Sequence, residues 1–300
     1  MKLEKHNSDI LIVLFAGILW SFGALIVRNL ENPSNVAWQY LLFRGVTVFI
    51  FLNIFLLIKE GKSFINNYYH IGLSGCLGGF GIALAAIGFI WSLTSTTAAN
   101  TLLMLAVMPF ITAILAYIFL REKVSMTTWV SIAIASVGII FMAYNNTDFN
   151  DLFGILCGLL SSLGFAIFAV TLRWKKDTPK FTTVALGGLF CFVISLFALF
   201  FSDNDFTMNI KNSSLSTLHG FLVCFGFVLF AMGSKSLPAA ELTLLSLTEV
   251  LGGVFWVWSP IFGINEVPSA STIIGGFIIT ISIFYYSFFT QKKRHYIGLS

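Results

Sequence analysis

The amino-acid sequence predicts an all-α integral membrane protein with ten transmembrane helices. Of its 300 residues, 57% are hydrophobic and only 10% are charged, whereas about a quarter of the residues in an ordinary soluble domain carry a charge. Polar segments divide the chain into ten apolar runs, each near the roughly 20 residues that a helix needs to cross a bilayer. Helices are expected throughout, because backbone groups in lipid must find hydrogen-bond partners within their own segment.

The ten runs follow one another with short polar joints, of which ENPSN (31–35) and NNTDFND (145–151) have the composition of turns. The first run follows a Lys-bearing tail and is closed by Arg28, with no cleavage site of small residues behind it, so it is predicted to be an uncleaved span. The predicted spans are 10–27, 36–58, 70–91, 97–120, 126–144, 152–172, 181–201, 215–234, 239–262 and 269–289.

The basic residues of the joints predict the orientation of the chain. If the N-terminus is cytoplasmic, 14 of the 17 Lys and Arg residues fall in cytoplasmic segments, Arg28 and Lys211 fall outside, and Arg44 lies within the membrane. Cytoplasmic segments of membrane proteins carry such an excess of positive charge. We therefore expect a multi-pass protein of the bacterial cytoplasmic (inner) membrane with both termini in the cytoplasm.

An internal repeat with an offset of 141 residues predicts two related halves. The recurring features are Gly17-x5-Gly23 with Gly158-x5-Gly164, Ala98-Ala99-Asn100 with Ala239-Ala240-Glu241, and, shifted by three residues, Glu122 with Glu266. They divide the chain into a first five-helix repeat (1–145), a second (151–290) and a cytoplasmic tail (291–300). An odd number of helices in each half inverts the second half in the membrane, and inverted repeats recur in secondary transporters.

In this arrangement the sequence resembles the drug/metabolite transporter superfamily, specifically its EamA type with two five-helix repeats. The residues that carry the resemblance are LWSFG (19–23), FR (43–44), TSTTAANTLLMLAVMPFITAILAYIFLREKVS (94–125), LPAAELTLLSLTEVLGG (237–253) and INEVPS (264–269). The resemblance implies a ten-helix carrier that works by alternating access and exports or exchanges small metabolites. Pro109 matches the usual proline of the fourth span. Val250 stands where the second half often has proline, which leaves open whether the ninth helix breaks there.

Two charged residues fall within predicted spans, where a charge costs about 2.5–3.5 kcal/mol on insertion scales and usually faces an interior site. Arg44 could bind a substrate carboxylate or phosphate, or it could be a structural clamp whose donors satisfy nearby carbonyls. Glu249 could bind a substrate amine or take up a coupling proton, or it could be a protonated packing residue. An ion pair between the two is a further alternative.

Helical spacing suggests the remaining candidate binding residues. Glu241, Leu245, Glu249 and Trp256 would share one face of an unbroken ninth helix, and the repeat places Asn100, Met104 and Met108 on the matching face of the fourth. Plain helix packing is the alternative for such a stripe. Trp20 lies deep enough in the first span to face a cavity. The predicted substrate-binding residues are Trp20, Asn100, Met104, Glu241, Glu249 and Trp256.

The other reactive residue types carry little functional signal. The four cysteines lie singly in apolar runs and are expected to pack between helices, with no metal or cofactor site. His219 is expected to face a loop at the outer end of the eighth span. The glycines of the third span, which include Gly75-x3-Gly79, are expected to let helices approach closely.

The sequence therefore favours a secondary transporter of a small polar or amphipathic metabolite, such as an amino acid, with protons as an open coupling partner. No P-loop motif is present in the sequence, no catalytic motif suggests an enzyme, and no basic stripe suggests nucleic-acid binding. A non-transporting membrane scaffold or sensor is the alternative function. The apolar outer faces leave a homodimer open.

Overall fold

The computed structural model describes residues 2–143, 152–175, 177–202, 205–267 and 269–296, and these residues form helices and joints without any strand. The predicted turn at 145–151 and the end of the predicted tail, 297–300, lie outside the described residues. The α-helices are α1 (Lys2–Arg28), α2 (Ala37–Glu60), α3 (Phe64–Tyr69), α4 (Gly72–Ser95), α5 (Ala98–Leu105), α6 (Met108–Leu115), α7 (Met126–Ala143), α8 (Leu152–Trp174), α9 (Lys180–Phe200), α10 (Ile210–Gly233), α11 (Ala239–Leu245), α12 (Thr248–Trp258) and α13 (Ala270–Tyr296).

Eight helical segments in the described part of the chain are long and apolar enough to cross a membrane. They correspond to the first four and the sixth to ninth predicted spans. The described apolar parts of the remaining two helices, 126–141 in α7 and 273–286 in α13, are shorter than that length. The all-helical membrane class is therefore confirmed, while the ten-span count stays a prediction. At the N-terminus the helix begins at Lys2, so the segment expected to be a tail already belongs to α1.

Two of the apolar segments are broken helices, and the breaks occupy matching positions. α5 ends at Leu105 and α6 begins at Met108, while α11 ends at Leu245 and α12 begins at Thr248. Pro109 explains the first break, because proline is favoured in the first turn of a helix and not in its interior. The second break forms although Val250 replaces the proline, which settles the point that the sequence left open.

Hydroxyl side chains stabilise the break between α11 and α12. The N–H of Leu247 donates to the carbonyl of Leu244, three residues back, instead of continuing the α-helical pattern. The Ser246 hydroxyl donates to the carbonyl of Thr243 (2.9 Å), and the Thr248 hydroxyl donates to that of Leu245 (3.2 Å). Side chains can therefore supply the hydrogen bonds that an interrupted helix needs inside a membrane.

Glycines allow helices of the two predicted repeats to cross in close contact. A Cβ atom added at Gly81 of α4 would lie 2.6 Å from the carbonyl oxygen of Gly164 in α8. A Cβ atom at Gly45 of α2 would lie 2.8 Å from the carbonyl oxygen of Gly188 in α9. These crossings hold α2, α4, α8 and α9 together around the centre of the bundle, where α1 and α10 also pack.

Candidate functional site

A small cavity lies at the centre of the bundle, where α1, α2, α4, α8, α10 and the two broken helices meet. Its wall is mostly apolar and carries three ionisable side chains, those of Arg44, His219 and Glu249. The cavity volume is about 40 Å³, which holds a few water molecules at most. Binding sites for drug-sized ligands measure about 300–1,000 Å³. A metabolite therefore does not fit into the cavity as it stands in this structure.

Arg44 lies seven residues into α2 and is only 6% exposed. Its Nε and Nη1 atoms are buried without a hydrogen-bond partner, and no ion pair joins Arg44 to any residue of the described ranges. Tyr40, Cys191 and Glu249 are close enough to interact with its charge electrostatically. The carbonyl contacts that a structural clamp would need are missing from the part of the chain that the structure describes. Burying an unpaired charge is costly, so the guanidinium is suited to an anionic partner from outside the protein.

Glu249 lies in the first turn of α12, directly after the helix break. Its side chain is partly buried and lines the same cavity as Arg44. Within the described residues its carboxyl group makes no hydrogen bond or salt bridge, and Arg44 acts on it only through space. A carboxylate in this position is favoured by the positive end of the helix dipole. The Arg44–Glu249 ion pair, which the sequence left open as an alternative, is thus not formed in this structure, although the two groups share one cavity.

His219 lines the cavity, and the expectation that it faces a loop is wrong. The side chain is 1% exposed, and its Nδ1 atom shares a hydrogen bond of 2.7 Å with the hydroxyl of Tyr40. The apolar pattern of the sequence predicts the start of the eighth span at residue 215, five residues too late. α10 begins at Ile210 with Asn209 as its N-cap, so His219 lies more than two turns inside the helix. Asparagine is favoured at helix N-caps, and the Asn209 side chain accepts a hydrogen bond from the N–H of Asn212. Asn209 is therefore the sequence signal for the correct start of α10.

Trp20 lies in the cavity wall, as the sequence predicted. Its indole N–H donates to the carbonyl of Val223 (3.3 Å), so the tryptophan offers the cavity its ring and not a donor. Phe165 and Phe227 pack against the ring with centroid distances of 5.1 Å. Together with Phe89, these side chains form the aromatic part of the wall.

Four other predicted binding residues lie outside the cavity. Asn100 donates to the hydroxyl of Thr96 (3.0 Å), and Met104 packs against Gly158. Trp256 donates to the hydroxyl of Ser21 (2.8 Å) and stacks on Phe22.

Glu241, the fourth of these residues, accepts hydrogen bonds from Thr128 and Tyr286. It lines a separate cavity of about 220 Å³. Glu241 and Glu249 do not share the face of one continuous helix, because the chain turns between Leu245 and Thr248, and the two side chains line different cavities.

The fold and the family of the chain also emerge from comparisons with known proteins. One solved structure, titled only as the crystal structure of a protein, shares 16% sequence identity with a TM-score of 0.71, and the match covers 95% of this chain and 98% of the other. At this identity the likeness shows a common fold alone. No curated protein matches the chain.

The family model described as "EamA-like transporter family" matches residues 7–144. This range runs from Asn7 in α1 to the end of α7 and covers nearly all of the first predicted repeat. It includes Trp20 and Arg44 of the central cavity, and it agrees with the resemblance seen in the sequence motifs. Residues 7–144 thus match the EamA-like transporter family, which is part of the drug/metabolite transporter superfamily.

Proposed function

We propose that the protein is a secondary transporter that moves a small zwitterionic metabolite, such as an amino acid or a related compound, by alternating access. The match of residues 7–144 to a transporter family supports the general class of activity. The observation that carries the finer proposal is that Arg44 and Glu249, two side chains of opposite charge, line one cavity and form no ion pair within the part of the chain that the structure describes.

Each part of the cavity suits one part of such a substrate. Arg44 can donate two parallel hydrogen bonds to a carboxylate, which is the geometry that a guanidinium favours. Glu249 can accept from an ammonium group, or it can take up a proton when the site is empty. The aromatic wall of Trp20, Phe165 and Phe227 can pack against an apolar side chain. A substrate with both charges would neutralise the two costly groups at once.

The transport cycle that we propose starts from the small volume of the cavity. The volume of about 40 Å³ requires the bundle to open before a metabolite can enter. Two inverted repeats that rock against each other would open the cavity to one side at a time. In this proposal all ten apolar segments cross the bacterial inner membrane, both termini are cytoplasmic, and the carrier serves export or exchange.

Binding and transport assays with matched variants test the proposal. Purified protein is screened by thermal shift against amino acids, organic amines, osmolytes, nucleosides and sugar phosphates, since a ligand that binds only the folded state raises its stability. We expect stabilisation by a zwitterion that Arg44→Gln and Glu249→Gln both abolish, while Glu60→Gln, a surface change far from the cavity, leaves it unchanged. Uptake of the same compound into proteoliposomes then establishes transport.

Two outcomes would contradict the proposal. A ligand whose binding survives both cavity substitutions would place the site elsewhere. Binding without any uptake or counterflow would favour the scaffold or sensor function over transport.

A further inference from the structure

Arg28 joins three elements at one end of the bundle. It is the last residue of α1, and its Nε atom forms an ion pair of 2.7 Å with Oε1 of Glu266, in the joint between α12 and α13. Its two terminal nitrogens donate to the carbonyls of Leu93 (2.7 Å) and Thr96 (2.8 Å), at the end of α4. One side chain of the first predicted repeat therefore ties its own α4 to the second repeat.

Arg173 of the second predicted repeat makes the equivalent contacts, here with a glutamate of the first predicted repeat. It lies in the last turn of α8, and its Nε atom donates to Oε1 of Glu122 (3.1 Å), in the joint between α6 and α7. Its Nη1 atom donates to the carbonyl of Ser234 (3.0 Å), at the end of α10. In both cases the arginine lies at the end of the first membrane helix of its repeat and donates to a carbonyl at the end of the third. In both cases it also pairs with the glutamate that follows the fourth membrane helix of the other repeat.

The two ion pairs lie at opposite ends of the bundle. Arg28 binds the C-terminal end of α4, whereas Ser74 near the N-terminal end of α4 donates to the carbonyl of Thr171, two residues before Arg173. α4 contains 24 residues and is therefore about 35 Å long. This length separates the pairs by about the thickness of a bilayer.

We propose that these contacts are two latches that open alternately during transport: the Arg28 latch, formed by Arg28 and Glu266, and the Arg173 latch, formed by Arg173 and Glu122. The inference rests on the proposed function. Both latches are closed in this structure, which agrees with a cavity too small for a metabolite. Each latch connects the two repeats, so rocking one repeat against the other must break at least one of them.

The exposure of the four side chains suits reversible contacts. The Arg28 and Glu266 side chains are 18% and 34% exposed, and those of Arg173 and Glu122 are 28% and 22% exposed. Water can therefore solvate the charges when a latch opens. In a fully buried ion pair, by contrast, each charge would be left without a partner and without water.

Cysteine labelling from each side of the membrane tests the latches without any substrate. Cys76, Cys157, Cys191 and Cys224 are replaced by alanine, and Met108, which lines the cavity, is replaced by cysteine. A membrane-impermeant maleimide is applied to whole cells and to inverted vesicles. Glu266→Gln is expected to raise the labelling rate severalfold from the side of the Arg28 latch only. Glu122→Gln is expected to do so from the opposite side only.

Matched variants separate latch opening from general disruption. Glu60→Gln removes the same charge from an exposed pair within α2 and should leave both rates unchanged. Glu266→Asp and Glu122→Asp keep the charge but shorten the side chain by one methylene group. They replace the glutamine variants in the labelling experiment if a glutamine variant does not fold. Faster labelling from the same side in both variants, or no change in either, would overturn the proposal. If labelling is side-specific but no zwitterion is transported in the proteoliposome assay, the proposal of the two latches is supported and the proposed substrate class is contradicted.

Discussion

The hydroxyl of Tyr40 and Nδ1 of His219 share a buried hydrogen bond of 2.7 Å that joins α2 to α10 one turn away from Arg44. Both residues are at most 1% exposed. The Ser216 hydroxyl also donates to the carbonyl of Tyr40 (2.7 Å), so the two helices are connected twice within one turn of α10. This connection fixes the imidazole in the wall of the cavity.

Tyr40→Phe should therefore destabilise the protein. It leaves Nδ1 of His219 buried without its partner, and an unsatisfied buried polar group costs about 1–3 kcal/mol. The free energy of unfolding in detergent measures the effect. Tyr285→Phe is the control, because Tyr285 is only partly buried and makes a ring contact with Phe289 that phenylalanine preserves. Equal losses in the two variants would show that the buried hydrogen bond adds no stability.

Arg44→Leu should leave stability unchanged or raise it, while abolishing ligand binding. Nε and Nη1 of the guanidinium are buried without a hydrogen-bond partner among the described residues, and replacing buried charges by apolar residues can stabilise a protein by about 1–4 kcal/mol. Thermal unfolding and ligand binding are measured on the same preparation. Arg173→Leu should destabilise the protein instead, because it removes the hydrogen bonds of Arg173 to Glu122 and to the carbonyl of Ser234. A large loss of stability in Arg44→Leu would identify Arg44 as the structural clamp.

The sequence predicted the membrane fold and the two intramembrane charges, because both depend on local composition. A run of about 20 apolar residues identifies a span wherever it packs, and Arg44 and Glu249 stand out inside such runs whatever surrounds them. The rest of the cavity wall depends on helix ends and breaks. His219 was missed because a polar first turn hid the start of α10. The sequence groups Glu241 with Glu249 because no proline marks the break between α11 and α12, where hydroxyl side chains bond the carbonyls instead.

Glu249→Gln separates two roles for this carboxyl group. If Glu249 only carries a coupling proton, the variant should lose proton-driven transport and retain counterflow, because exchange of substrate needs no net proton movement. If Glu249 binds the substrate amine, both activities should fall at least tenfold, since one lost charged hydrogen bond costs about 1.5–3 kcal/mol. Uptake into proteoliposomes with and without a pH gradient measures both. Unchanged rates in the two assays would remove Glu249 from the site.

Gly81→Ala should destabilise the contact between α4 and α8. The new methyl group would lie 2.6 Å from the carbonyl oxygen of Gly164 and 3.0 Å from the backbone nitrogen of Phe168. Backbone atoms cannot move aside as a side chain can, and overpacking of this kind costs about 1–3 kcal/mol. Gly276→Ala is the matched control, because its nearest neighbour is a leucine methyl at 3.5 Å. Unfolding in detergent should distinguish the two variants, and equal stabilities would show that the α4–α8 crossing tolerates a wider spacing.

Val250→Pro tests whether the break before α12 is complete without a proline. Val250 lies in the first turn of α12, and its N–H donates to the carbonyl of Leu247 (3.0 Å). Proline would remove this one turn contact, but it is tolerated in the first turn of a helix, so the loss should be about 1 kcal/mol or less. Val254→Pro places the same ring inside α12 and should cost about 3 kcal/mol or more. Unfolding measurements on both variants decide the question: comparable losses would mean that Val250 behaves as a residue of a helix interior and that the break between α11 and α12 is not complete.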